Sequence, residues 1–153
     1  MDLPSDVIDL WVAFDDENVE ALLIGGQALA VHGHPRFTKD WDVWVRDTPE
    51  NIQRVRAALL AFGAPRSVIE GIESARDLDV VWMGHPPARI DIVKNVPGGV
   101  FDDAWRSRFT VAMGGARVVV VGREELIRLK RASGRAQDLV DADLLANARP
   151  ERS

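Results

Sequence analysis

Two aspartates one residue apart, Asp40 and Asp42, sit in the run TKDWDVWVR. On a strand, residues i and i+2 face the same side, so both carboxylates project together while Trp41 points the other way. Two like charges at that separation repel, and one holds its proton to higher pH unless a cation lies between them. Hard carboxylate oxygens suit Mg2+ or Mn2+, whose shells are completed by phosphate oxygens. A solvated strand edge gives the same pattern, so the pair alone does not decide. A third aspartate, Asp91, lies in the apolar run RIDIV, where an unpaired buried charge is costly. Three acidic groups on one sheet face would form a two-metal site. The competing arrangement is an ion pair between Asp91 and Arg89, two residues away on the same face.

The other half of such a site is a phosphate cradle. An apolar strand ending at Gly25-Gly26 and followed at once by a helical pattern leaves free backbone N–H groups at the helix start. Those donors and the helix dipole favour phosphate, and glycine permits close approach. Between the glycines and the aspartates lie His34, Arg36, Thr38 and Lys39, a loop of donors for phosphate oxygens. With no cysteine in the chain, His32 and His34 do not read as zinc ligands. Trp44 shares the face of Asp40 and Asp42, where it either packs at the cleft rim or stacks on a base.

These residues need elements to hold them, and the chain alternates helical and strand periods. Ser5 reads as the N-cap of a helix over residues 6–14, with Val7, Leu10, Trp11 and Phe14 inward. Residues 20–24 form a strand, 27–31 a short helix stopped by Gly33 and Pro35, and 41–46 a strand. Pro49 opens a long helix closed by Gly63. Residues 78–83 and 88–93 are strands joined by GHPP, and FDDAWRSRF is a short helix or turn. Residues 108–113 and 117–121 flank Gly114-Gly115 as a hairpin. Helices over 124–131 and 137–146 close the chain, broken at Ser133-Gly134.

No repeat or linker interrupts the sequence, so the reading is one α+β (or α/β) domain over residues 1–148, a mixed sheet with helices on one face, and a frayed tail at 149–153. Apolar runs are too short for a bilayer span, and acidic residues stand where a secretory signal carries positive charge. The expectation is a cytoplasmic protein. A net charge of −5 argues against a broad nucleic-acid-binding surface.

Taken together, Gly25-Gly26, the x-A-L-A-x-H-G helix, Arg36-Phe-Thr-Lys-Asp40-Trp-Asp42 and the later Asp91 strand resemble the nucleotidyltransferase superfamily of the DNA polymerase β type. The likeness is to the small bacterial group that includes AbiEii-type toxins and minimal nucleotidyltransferases. Lys130, Arg135, Gln137, Asp138 and Asp141 resemble that group's closing pattern, with Gln137 where lysine is usual. Glycine at 26 replaces the serine of many members. The sequence by itself leaves Asp138 and Asp141 as surface or helix-start charges, and Lys130 as either a phosphate ligand or a solvated side chain.

The resemblance implies transfer of a nucleoside monophosphate from a nucleoside triphosphate to a hydroxyl, with release of pyrophosphate. Asp40, Asp42 and Asp91 would hold Mg2+ or Mn2+, and Asp91 would accept the hydroxyl proton. Gly25, Gly26, Arg36, Thr38, Lys39 and Lys130 would hold the nucleotide. The acceptor is a protein, a tRNA end or a small molecule, bound by a partner chain or by the two closing helices, and the protein is expected to work with a partner chain or as a homo-oligomer. The alternative is a nucleotide-binding, antitoxin-like partner without turnover.

Overall fold

The computed structural model describes residues 4–35 and 40–148. In chain order its elements are α1 (Ser5–Asp16), β1 (Ala21–Ile24), α2 (Gly25–Val31), β2 (Asp40–Val45), α3 (Pro49–Phe62), α4 (Arg66–Ser74), β3 (Val80–Met83), β4 (Arg89–Val93), α5 (Phe101–Arg106), β5 (Phe109–Met113), β6 (Ala116–Val120), α6 (Arg123–Ser133) and α7 (Ala136–Asn147). The strands form one mixed sheet in the order β3-β4-β2-β1-β6-β5. β1 runs parallel to β6, β2 runs parallel to β4, and the remaining pairs are antiparallel.

Local chemistry explains most of the boundaries. The Thr48 hydroxyl accepts a hydrogen bond from the Asn51 N–H, Pro49 supplies a preset first turn, and Gly63 ends α3 in the left-handed region. The Gly114-Gly115 pair turns β5 into β6 as an antiparallel hairpin. Helix α1 buries Val7, Leu10, Trp11 and Phe14, as its periodicity predicts. Its cap differs from expectation. Pro4 precedes the helix and Ser5 is already its first residue, with no side-chain cap.

The sequence reading assigns no element to residues 66–74, yet they form α4, which buries Val68, Ile69 and Ile72. An interior glycine, Gly71, weakens the helical signal there. It stands where the helix meets the sheet: a Cβ at this position would lie 3.3 Å from Val81.

The sheet is two-faced. Trp41, Val43, Val45, Ile90 and Ile92 are buried on the side covered by α4 and the helices packed with it, α3 and α1. The alternating residues Asp40, Asp42, Arg89, Asp91 and Val93 are only partly covered. Helix α6, packed on α7, bounds a cleft over this second face. No helix among the described residues is long and apolar enough to cross a membrane.

Candidate functional site

Register brings the predicted acidic residues together. On the parallel β2–β4 ladder Asp42 is the Cα partner of Asp91, and Asp40 is the partner of Arg89. Partners across a ladder share a face, so Asp40, Asp42 and Asp91 project side by side. The end of β1 joins them, with Ile24 opposite Asp42. The chain then turns into α2 at Gly25, whose φ is +72°. A Cβ there would sit 2.2 Å from Asp42 Oδ2, so this glycine both permits the turn and leaves room for the carboxylate. The glycine pair therefore forms the first residues of α2 rather than a turn ahead of it, and α2 has no side-chain cap at its start.

The cleft encloses about 480 Å³ and has two characters. Gly25, Asp40, Asp42 and Asp91 line one part, and Val80, Val93, Leu126 and Leu129 line an apolar wall. Burial, together with the nearby Asp91 and then Asp40 charges, pushes the Asp42 carboxyl up to about 6 from its ordinary 3.8. Arg135 and Lys130 act in the opposite direction.

Arg89 realises the competing arrangement. Its Nε donates to Asp91 Oδ1 at 2.8 Å and lies 3.8 Å from Asp40 Oδ1. Among the described residues, no three acidic or imidazole groups are gathered as the ligand set of one ion. The chemistry of the site nevertheless fits a divalent cation: three hard-oxygen donors share one face, one has its ionised form disfavoured by burial and by the other two, and Gly25 leaves the space clear.

Lys130 does not lie on a solvated helix face. It is 5% exposed, lines the cleft, and its Nζ donates to Asp141 Oδ2 at 3.0 Å and Asp138 Oδ1 at 3.4 Å. Asp138 and Asp141 are correspondingly buried, contrary to the reading of them as surface charges. Asp138 also accepts from the Ser133 hydroxyl at 2.5 Å and Arg135 Nε at 2.9 Å, and Gln137 donates to Asp141 at 2.9 Å. The residues of the closing pattern thus form one network between α6 and α7. Ser133 and Arg135 line the cleft, although sequence reasoning gave neither a role in the site.

Trp44 packs and does not stack on a ligand. It is 1% exposed, donates its indole N–H to the Lys94 carbonyl at 3.0 Å, and meets Phe101 edge-on. His32 bonds the Val121 carbonyl through Nε2 at 2.9 Å and packs on Phe109, tying α2 to the end of β6. Gly26 is buried at the start of α2. Arg36, Thr38 and Lys39 lie outside the described residues, as does the 149–153 tail.

No protein-family model and no curated protein sequence matches the chain. Solved structures do. A Thermotoga maritima protein described as a candidate nucleotidyltransferase superposes with a TM-score of 0.62 at 14% identity, over 97% of each chain. ANT(2″)-Ia, solved with adenylyl-2″-tobramycin, gives 0.56 at 15% identity over 93% of this chain and 86% of its own. A nucleotidyltransferase-like protein of Paracoccidioides brasiliensis gives 0.52 at 18% identity, over 95% and 78%. The chain has the fold of the nucleotidyltransferases.

Proposed function

We propose that the protein transfers a nucleoside monophosphate from a nucleoside triphosphate to a hydroxyl-bearing acceptor, releasing pyrophosphate, in a reaction dependent on Mg2+ or Mn2+. The observation that carries this reading is the register of Asp42 on Asp91 with Asp40 on the same face, at the strand end where Gly25 opens α2. Asp40, Asp42 and Asp91 would hold the metal. When bound, it would supply charge stabilisation at the phosphates and activation of the acceptor hydroxyl. The backbone N–H groups at Gly25 and Gly26 favour phosphate oxygens, and Arg36, Thr38 and Lys39, a little further along the sequence, would add donors of the same kind.

Lys130 has a more specific part. Fixed by Asp141 and Asp138, it offers its positive charge to the cleft without rotamer freedom, so it orients a triphosphate at little entropic cost. Asp91 is the acceptor for the hydroxyl proton, a role that requires exchange of its bond to Arg89. The apolar wall sets low-polarity surface beside the reacting groups, which strengthens the electrostatic interactions next to it. The acceptor is a protein, a tRNA end or a small molecule.

A second reading, a nucleotide-binding partner without turnover, is favoured by one observation: Arg89 already occupies Asp91. One assay separates the two. The protein is incubated with each α-labelled nucleoside triphosphate, Mg2+ or Mn2+, and a lysate or tRNA pool. Label transfer that disappears in Asp40→Ala and Asp42→Ala is the expected outcome. Nucleotide binding without transfer favours the second reading, and no binding of nucleotide or metal defeats both.

A further inference from the structure

We propose that Arg89 is an internal counter-cation that competes with a divalent ion for Asp91 and Asp40, so that the ion loads strongly only together with a triphosphate. This rests on the metal-binding reading of the three aspartates. Arg89 stands at the mouth of the cluster: its side chain is 34% exposed, against 5% for Lys130, which is held at the cleft wall by two aspartates. The guanidinium has two neighbours of different kind. On one side Nε bonds Asp91 Oδ1, with Asp40 Oδ1 within 3.8 Å. On the other, its central carbon lies 4.7 Å from the centroid of the Trp82 ring. Trp82 is 52% exposed on the edge strand β3 and is the Cα partner of Asp91.

One cation therefore has two seats, a carboxylate pair and an aromatic face. A guanidinium that gives up its carboxylates to a metal keeps the attraction of the ring, which lowers the cost of exchange. While it stays, it offsets the negative charge that would otherwise draw a free ion. A metal–triphosphate complex brings further contacts at Gly25 and Lys130, and those outweigh the competition. A purely structural salt bridge would tie β4 to β2 and leave metal affinity alone.

The test measures Mn2+ binding to the full chain by electron paramagnetic resonance, with and without ATP, beside a thermal melt of each variant. Arg89→Gln is expected to bind Mn2+ alone about tenfold more tightly than wild type, as loss of a unit charge a few ångströms away requires. Arg89→Lys stays near wild type. If Arg89→Gln and wild type bind Mn2+ alike while wild type takes up Mn2+ with ATP, the counter-cation role is wrong and the metal site stands. If no variant binds Mn2+ with or without ATP, the metal-site reading fails and this inference with it. Should Arg89→Gln not fold, Trp82→Leu at the exposed edge decides. Removing the aromatic seat is expected to weaken Mn2+ binding about two- to fivefold, and unchanged affinity there overturns the proposal.

Discussion

Two clusters of charge line the same cleft and are balanced in opposite ways. In the α6–α7 network, Lys130 and Arg135 face Asp138 and Asp141, and every carboxylate oxygen of the two aspartates has a donor. There the Asp138 carboxyl titrates below its ordinary value. Burial opposes that shift, but the Ser133 hydroxyl and the Lys130 and Arg135 charges outweigh it. On the sheet, three aspartates share a face with Arg89, and the Asp42 carboxyl rises to about 6. The same residue type moves in opposite directions because Asp42 is buried beside two further carboxylates, whereas at Asp138 a hydroxyl and two cations outweigh the burial. A cluster that neutralises itself holds structure. A carboxylate buried among others is the arrangement that the proposed metal site calls for.

Substitutions at the two clusters break or sharpen this contrast. The largest effect belongs to the sheet: Asp42→Asn is expected to lower nucleotidyl transfer by about a thousandfold, read as label transfer from an α-labelled triphosphate. Undiminished transfer would remove Asp42 from the reaction. On the helices the damage is to stability instead. Lys130→Met takes the buried cation away from two buried carboxylates and should cost roughly 3–5 kcal/mol in denaturant unfolding. A melt at the wild-type temperature would show that the network is not what closes α6 on α7.

The pH dependence has opposite signs at the two clusters. Because Asp42 titrates near 6 when folded and 3.8 when unfolded, the folded state keeps a proton that the unfolded chain has lost between those values. Metal-free stability therefore falls as pH rises from about 4 to about 6, by roughly 3 kcal/mol at most. Asp42→Asn abolishes that slope and melts higher than wild type at pH 7, the reverse of Lys130→Met. Asp138, lowered in the fold, stabilises above its ordinary pKa and loses that contribution as pH falls below it. A pH series of urea unfolding curves for wild type and Asp42→Asn measures both, and parallel profiles would contradict the repulsion at Asp42.

The smallest expected effect is at the junction. Gly25→Ala places a Cβ against Asp42 Oδ2 at a positive φ, and about 1–3 kcal/mol of stability should be lost. Crystallography of that variant should show the carboxylate displaced. An unmoved Asp42 would mean the junction is more yielding than its geometry indicates.

Much of the fold was legible in the chain. The cap and stop of α3, the glycine hairpin between β5 and β6, the period-2 alternation of β2 and β4, and the shared face of Asp40 and Asp42 all follow from local chemistry. These are decided within a few residues, where a side chain, a proline ring or a missing Cβ fixes the backbone directly. Helix α4 was hidden because its interior glycine weakens the local helical signal, and the glycine answers to packing against Val81 on β3. The burial of Asp138 and Asp141, and the sealing of Trp44 beneath Lys94 and Phe101, were equally out of reach. Spacing states which residues share a face. It does not state what packs over that face.

The sequence alone determined that Asp40 and Asp42 share one strand face and that a glycine pair precedes them. Only the tertiary structure set Asp91 in register with Asp42, gave Arg89 both carboxylate and aromatic neighbours, and buried Lys130 against two aspartates. The reason is range. A strand's period acts over neighbouring residues, whereas the charge balance of a cluster depends on every element that closes around it.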